Sequence, residues 1–475
     1  MCSPDLSTPP PSGRMLADDL EHRWKATFIV APQATWSPRE ATLMGRRAAV
    51  EIARAFVRSP NRRSIALGFI DQAFSSATNF GLSVIAGRLL GPSGLGEVFL
   101  GFSIYLVGLG LQRRLLTEPL VASTAGEDPQ RLGVTTGMSL TVSIVAGLAA
   151  TVVALAAGFA LPGLPGRGTL LIAPWLLPVL LQDVIRSILF RNARPAAAAM
   201  NDGVWFVVMA LAVIPAWRIG TAEAVLACWA IGAVAASIVG FVQLAARPRS
   251  PRAAFRWWRH DALPFGKWNA GAAILSQVGS NAGIFILSMI LGAASLGGLR
   301  AAESVFAPLT LVIPAISLPG LPIVARAVSG DLRRALSLSI RLSVIALAAT
   351  FVYVTVIALG GWRLLPFLFG ESFAQFKDLI WPIAVAQLLT SAGVGLLLLL
   401  KAERRGRELL FNRAVTAAVS VAFITFLAFR YGLLGAAWGT AGASLASLAL
   451  LAYATVVPTP ASRAEGRGDR SFDPE

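Results

Sequence analysis

Apolar positions in this chain follow neither the alternation of a strand nor the one-sided spacing of a surface helix. From about residue 64 onward they run in long, nearly uninterrupted blocks. A block of about 18 or more such residues crosses about 30 Å of hydrocarbon as a helix rising about 1.5 Å per residue. Twelve blocks qualify, at approximately 64–88, 94–112, 133–161, 169–191, 196–215, 221–245, 266–292, 299–326, 336–359, 375–400, 407–429 and 432–457. Barrel strands would be segments of about ten residues with alternating polarity, so a membrane barrel is excluded. The pattern predicts an all-α polytopic membrane protein of about 12 transmembrane helices.

The blocks also repeat. Residues 72–87 laid without gaps on 277–292 match at eight of sixteen positions, among them Gln72 with Gln277, Ser75 with Ser280, Ser83 with Ser288 and Gly87 with Gly292. Span 7 thus repeats span 1. An offset of six spans preserves direction through the membrane, which gives two parallel six-helix repeats related by an axis along the membrane normal. The organisation read from this is a basic, largely disordered tail at 1–63, a six-helix bundle at 64–245, a linker at 246–266, a second bundle at 267–457 and a C-terminal tail at 458–475. Met44, followed by a basic helix-like stretch, is a candidate start of the chain. In the linker, Arg252, Phe255, Arg256, Trp257 and Trp258 have the composition of a helix lying in the membrane interface.

Composition agrees: 55% of residues are hydrophobic and 14% charged, against roughly 25% charged in soluble domains. The net charge of +16 would suggest nucleic acid in a soluble protein, but its placement points elsewhere. With a cytoplasmic N-terminus, 34 of the 41 Lys and Arg fall on the inward side, leaving Arg88, Arg167, Arg218, Arg300, Arg363, Lys377 and Arg430 outside. That is the positive-inside distribution. Both termini are then cytoplasmic, membrane lipids are the partner of the basic charge, and no nucleic-acid partner is expected. Arg outnumbers Lys 37 to four, the bias of a GC-rich bacterial genome, so the expected location is the bacterial cytoplasmic (inner) membrane.

Polar side chains inside the spans are the candidate chemistry. Gln72, Ser75, Asn79 and Ser83 form a stripe on one face of span 1, and Gln277, Ser280, Asn281 and Ser288 a similar one on span 7. Such stripes avoid lipid, so they line a wet cavity or bond neighbouring helices, and both readings stay open. Asp71 and Glu118 are candidates for ion coupling. Arg88, Arg300 and Glu303 are candidates for substrate contact, because Arg88 and Arg300 depart from the charge pattern at the outer ends of spans 1 and 8. Asp183 and Arg186, three residues apart, read as a local pair. With two histidines, His22 and His260, and no GxxxxGK loop, the chain offers no metal cluster, histidine triad or nucleotide site. Neither a cofactor, a metal nor enzymatic activity is expected.

Several local patterns resemble the polysaccharide flippase branch of the multidrug/oligosaccharidyl-lipid/polysaccharide exporter superfamily. They are Ala86-Gly87-Arg88-Leu89-Leu90-Gly91-Pro92, Gln182-Asp183 with Arg186 and Phe190, Arg194-Pro195 followed by Asp202 and Trp205, Leu299-Arg300-Ala301-Ala302, Leu368-Phe369-Gly370-Glu371 and Gly435-Ala436-Ala437-Trp438-Gly439. The resemblance covers roughly residues 64–457. It implies two six-helix lobes around a cavity lined mainly by spans 1, 2, 7 and 8, opening alternately to either side. It further implies a polyprenyl-pyrophosphate-linked oligosaccharide as cargo for capsule, O-antigen or exopolysaccharide assembly, with a glycan polymerase and export machinery as partners. The alternatives are an exporter of drugs or small molecules with the same fold, and a membrane glycan polymerase or ligase.

Overall fold

The computed structural model describes residues 62–123, 129–328 and 330–456, without the side chains of 62–65, 122–123, 129–130, 265–282, 310, 318–319 and 361–362. The expectations for the N-terminal tail, Met44 and the C-terminal tail, and for Gln277 and Asn281, lie outside the described residues. All regular structure among the described residues is helical. Among the described residues ten helices are long and apolar enough to cross a membrane, and three of them, Ala66–Val121, Gly283–Val305 and Gly406–Val456, are broken by a glycine, at Gly91, Gly292 and Gly432. The expected all-helical polytopic fold is therefore present. Large apolar side chains such as Phe159, Leu359 and Val242 stay about 80% exposed on its flanks; a hydrocarbon surround suits that surface and water does not.

Tight turns between spans rest on glycines with positive φ: Gly91 at 68° between spans 1 and 2, and Gly292 at 74° between spans 7 and 8. Only a residue without a Cβ takes that conformation cheaply. Gly220 and Gly432 play the same part between spans 5 and 6 and between spans 11 and 12. These turns give the register of the repeat. Gly91 and Gly292 are 201 residues apart, one helical turn short of the 205-residue offset that the sequence identities suggested. A shift of four residues keeps nearly the same helix face, which is why the identities still align.

The two repeats meet at these turns by reciprocal contacts. A Cβ on Gly96 would collide with the carbonyl of Ala293, and one on Gly297 with the carbonyl of Pro92. Ala293 and Pro92 are themselves related by the 201-residue register, so one contact is the image of the other across the pseudo-two-fold axis. Close by, Gly87 is covered by the ring of Phe369, and Arg88 donates to the backbone carbonyls of Phe367 and Leu368. The two halves are thus packed backbone to backbone at the Gly91 end of the bundle.

The helix of span 9, Leu332–Phe369, runs well past the apolar block at 336–359 and stops at Gly370, φ 106°. In the linker, Ser250 caps a helix Pro251–Trp257, continued by a π turn Trp258–Ala262. The Trp258 indole N–H bonds the Leu115 carbonyl at 3.0 Å, while Phe255, Arg252 and Arg256 are exposed. Substituting Gly96→Val or Gly297→Val should force the halves apart at this end. The expected results are a loss of about 1–3 kcal/mol of stability from overpacking and a longer distance between spin labels placed at Ser93 and Ala294, whereas an unchanged distance would count against the backbone contact between the halves.

Candidate functional site

At the end of the first bundle opposite Gly91, spans 1, 2, 4 and 5 surround a cavity of about 270 Å³. Spans 2, 4 and 5 bring ionisable side chains to its wall, and span 1 brings one into contact with that wall through Arg186. Asp71 stands near the start of span 1, Arg113 at the end of span 2, Asp183 and Arg186 one turn apart in span 4, and Asp202 near the start of span 5. The three carboxylates are almost completely buried.

Pairing among them runs between helices. The Arg186 guanidinium donates to both oxygens of Asp71 and lies 3.2 Å from Asp202. Arg113 donates to both oxygens of Asp183, at 3.1 and 2.5 Å. The local Asp183–Arg186 pair expected from spacing is therefore not the arrangement adopted, because each finds a partner on another helix. Gln182 donates its amide to Asp202 at 2.7 Å and to Asn201 at 3.0 Å, and Asn201 in turn donates to the Ala236 carbonyl at 2.6 Å. Three carboxylates face two guanidinium groups, so with all five ionised the cluster has a formal surplus of one negative charge. Low dielectric makes such a surplus attractive to a proton or a small cation.

The stripe on span 1 leads away from this cluster. Gln72, Ser75 and Asn79 line the cavity, and Asn79 is shared with a second, water-sized space also bounded by Ser83, Phe99, Phe102 and Arg300. On span 1 these side chains stand at the cavity wall. Their side-chain hydrogen bonds stay within the helix: Gln72 donates to Ser76 at 3.4 Å and Ser83 to the Asn79 carbonyl at 3.3 Å. Arg300, from the second bundle, lies 4.6 Å from the ring centre of Phe99 and 5.7 Å from that of Phe102, in the first. Phe102 continues into an aromatic group with Tyr105 and Trp229, and Trp229 packs on Trp205 at the cavity wall. Arg300 is thus a cation at the seam between the bundles, held by ring faces and by a long 3.9 Å approach to Glu303.

The other candidates sit apart. Arg88 is committed to span 9 carbonyls and holds the bundles together at the Gly91 turn rather than pointing into the cavity. Glu118 pairs with Arg114 at 3.3 Å along its own helix and lies outside the cavity lining. The residues that sequence reasoning did not place in the site are Arg113, Gln182, Asn201, Tyr105 and Asp202. A usable signal was present: one acid in each of spans 1, 4 and 5, all within a few turns of the same membrane face.

Comparison with family models finds no match, and no curated protein matches by sequence. Solved structures do. Lipid II flippase MurJ in an inward closed conformation superposes with TM-score 0.67 at 11% identity, over 82% of this chain and 88% of that one. An inward-facing multidrug resistance MATE family transporter of the MOP superfamily gives 0.64 at 15% identity, over 85% and 100%. A MOP superfamily transporter from Pyrococcus furiosus, whose binding pocket is described as of reverse polarity, gives 0.58 at 15% identity, over 85% and 96%.

Removing the Arg186 guanidinium should do more damage than removing an acid. Arg186→Ala leaves Asp71 and Asp202 buried without their partner, at an expected cost of about 3–5 kcal/mol. Asp202→Asn removes the surplus charge and should cost less than half of that. Thermal unfolding of both variants in one detergent gives the comparison, and equal losses would contradict the pairing scheme. At identities this low the superpositions speak for the fold alone: the chain is a multi-pass membrane protein with the fold shared by lipid II flippase and MATE transporters of the MOP superfamily.

Proposed function

We propose that this chain moves a lipid-linked oligosaccharide with an anionic phosphate-containing head from the inner to the outer leaflet by alternating access. The observation that carries this reading is the character of the cavity wall in the first bundle and of its continuation to the seam at Arg300. It is a track of amide, hydroxyl and charged groups, running from the Asp71–Arg186–Asp202 cluster along Gln72, Ser75 and Asn79 to Arg300. An apolar drug gains little from such a wall. A glycan with many hydroxyls cannot enter hydrocarbon unaided, since each unpaired polar group costs several kcal/mol. A guanidinium at the seam suits a phosphate because its fork binds two oxygens at once.

The cycle follows from the packing. The Gly96–Ala293 and Gly297–Pro92 contacts close the Gly91 end, which the charge distribution assigns to the outer face. Cargo enters from the opposite, cytoplasmic side and engages the track. Separation of the glycine contacts then opens the outer side. An inside-negative potential favours outward movement of an anion by about 2.3 kcal/mol per charge per 100 mV. The unbalanced carboxylate among Asp71, Asp183 and Asp202 supplies a place for a proton or sodium ion to couple to that motion. The chain itself catalyses no bond change in this scheme. A glycan polymerase and export machinery would act on the delivered cargo.

The same surplus carboxylate favours a second reading, an exporter of cationic small molecules. A deletion strain separates the two. The flippase reading expects a complete polyprenyl-linked oligosaccharide to accumulate on the inner leaflet, protected from an externally added glycan-modifying enzyme and cleared by the wild-type gene. Unchanged lipid intermediates with new sensitivity to cationic drugs would replace it with the exporter, and accumulation on the outer leaflet would indicate a polymerase or ligase. In the complemented strain, Arg300→Ala and Asp71→Asn should each reduce glycan export by roughly tenfold or more, the scale of losing one charge-assisted contact of about 1.5–3 kcal/mol. Arg88→Ala should act through looser closure and give a smaller loss at equal protein level.

A further inference from the structure

The second bundle contains a cavity that is the counterpart of the first and opposite in charge. Asn201 on span 5 donates to the carbonyl of Ala236 on span 6 at 2.6 Å; Asn412 on span 11 donates to the carbonyl of Ser447 on span 12 at 2.9 Å. Each partner lies 35 residues on. The two asparagines therefore occupy the same place in the two repeats. The residue after Asn201 is Asp202, and the residue after Asn412 is Arg413. Three positions further stand Trp205 and Thr416, and each of these four residues lines the cavity of its own bundle.

That second cavity, about 360 Å³, is bounded by spans 8, 10, 11 and 12. Its polar wall is Arg413 with the hydroxyls of Thr390, Thr416, Ser420, Ser444 and Ser447, and no carboxylate is among its lining residues. Thr416 Oγ1 is buried and has no hydrogen-bond partner. The nearby acids on the chain, Glu403 and Glu408, are both held by Arg405, at 3.5 and 3.1 Å. Arg413 itself has no carboxylate within ion-pair distance among the described residues, and the charge it acts on, Lys401, is also positive.

The Thr390 and Ser447 hydroxyls already donate, to the Ala386 carbonyl and to Asn412 Oδ1, which leaves those of Thr416, Ser420 and Ser444 beside Arg413. A guanidinium without a counter-ion next to these hydroxyls is complementary to a phosphate group. The fork takes two oxygens and the hydroxyls take the others. A neutral sugar would satisfy the hydroxyls and leave the cation unpaired. A carboxylate would pair the cation and leave most of the hydroxyls without an acceptor. We infer that the second bundle holds a binding site for the phosphate or pyrophosphate head of an amphiphile, built on Arg413, Thr416 and Ser420. The two repeats thereby divide the charges, with the carboxylate surplus in the first and the anion site in the second. This deepens the flippase reading, and it rests on that reading only for the claim that the head belongs to a transported cargo.

The test is binding to the purified full-length chain in zwitterionic detergent, by calorimetry, with inorganic pyrophosphate and farnesyl pyrophosphate as probes. Arg413→Ala should weaken both at least tenfold, Arg413→Lys should recover part of the loss, and Thr416→Val should weaken them a few-fold. Arg334→Ala, an exposed charge at the same end of the bundle, controls for general loss of positive charge. Equal affinities in wild type, Arg413→Ala and Thr416→Val would overturn the site, as would an equal loss in Arg334→Ala. Repeating the titration in nanodiscs with and without phosphatidylglycerol distinguishes the sources. Binding that persists in phosphatidylglycerol assigns the site to a polyprenyl head, and displacement assigns the same phosphate site to bilayer lipid. Arg413-dependent binding in a protein whose deletion leaves lipid-linked glycans untouched would uphold the site and remove the flippase reading, while normal binding in Arg413→Ala beside a confirmed flipping defect in the deletion strain would do the reverse.

Discussion

A guanidinium inside hydrocarbon has to be met by something, because insertion at the centre of a span costs about 2.5–3.5 kcal/mol for a bare charge. The way each arginine is met organises this molecule. Arg186 is met by two carboxylates from two other helices, and that contact ties spans 1, 4 and 5 at one depth. Arg113 is met by one, which adds span 2. Arg88 is met by backbone carbonyls at the end of span 9, joining the two bundles. Arg300 is met mainly by ring faces and only distantly by Glu303. Arg413 faces hydroxyls without a carboxylate. Along this series the internal compensation falls, and with it rises the positive charge left unmet by a carboxylate.

That ordering separates structural from functional cations. Breaking a fully compensated pair leaves a buried charge alone and threatens the fold. Removing a cation held by ring faces or hydroxyls leaves neutral groups behind, so the loss falls on whatever the cation binds. The polar stripe on span 1 belongs to the second kind. Its side chains bond within their own helix and leave their outer faces to the cavity. Among the described residues these hydrogen bonds tie no second helix, and on the proposed function the stripe wets the cavity wall.

Much of the fold was legible in the chain because the bilayer makes a single demand that the sequence must answer visibly, with apolar runs of the right length. The duplication was legible as well, yet the register taken from identities fell one turn away from that given by Gly91 and Gly292. Neighbouring turns of a helix present nearly the same face, so a polar and apolar pattern cannot tell them apart, whereas a glycine at φ near 70° marks a single position. The site was legible in kind and not in pairing. Gln72 and Asn79 line a cavity and Asp71 pairs with Arg186 at its wall, while the reading of Asp183 with Arg186 failed because spacing along one helix says nothing of what a neighbouring helix brings. Depth in the membrane can be counted along the chain, but whether a side chain at that depth faces lipid or the bundle interior depends on packing.

Duplication gives a further constraint. Two repeats from one ancestor begin with the same residue at each equivalent place, and a symmetric carrier would offer a phosphate-bearing cargo two like-charged walls. Here the equivalent positions diverged to Asp202 and Arg413 while the asparagine before each kept its bond to the next helix. The scaffold bond fixes where the following side chain points, so a change of that one residue inverts the local charge without disturbing the helix pair. The glycine contacts at the opposite end, kept in both repeats, preserve the symmetry that lets the bundles close on one another. On the proposed cycle, opening and closing depend on what the repeats still share, and selectivity on the positions where they differ.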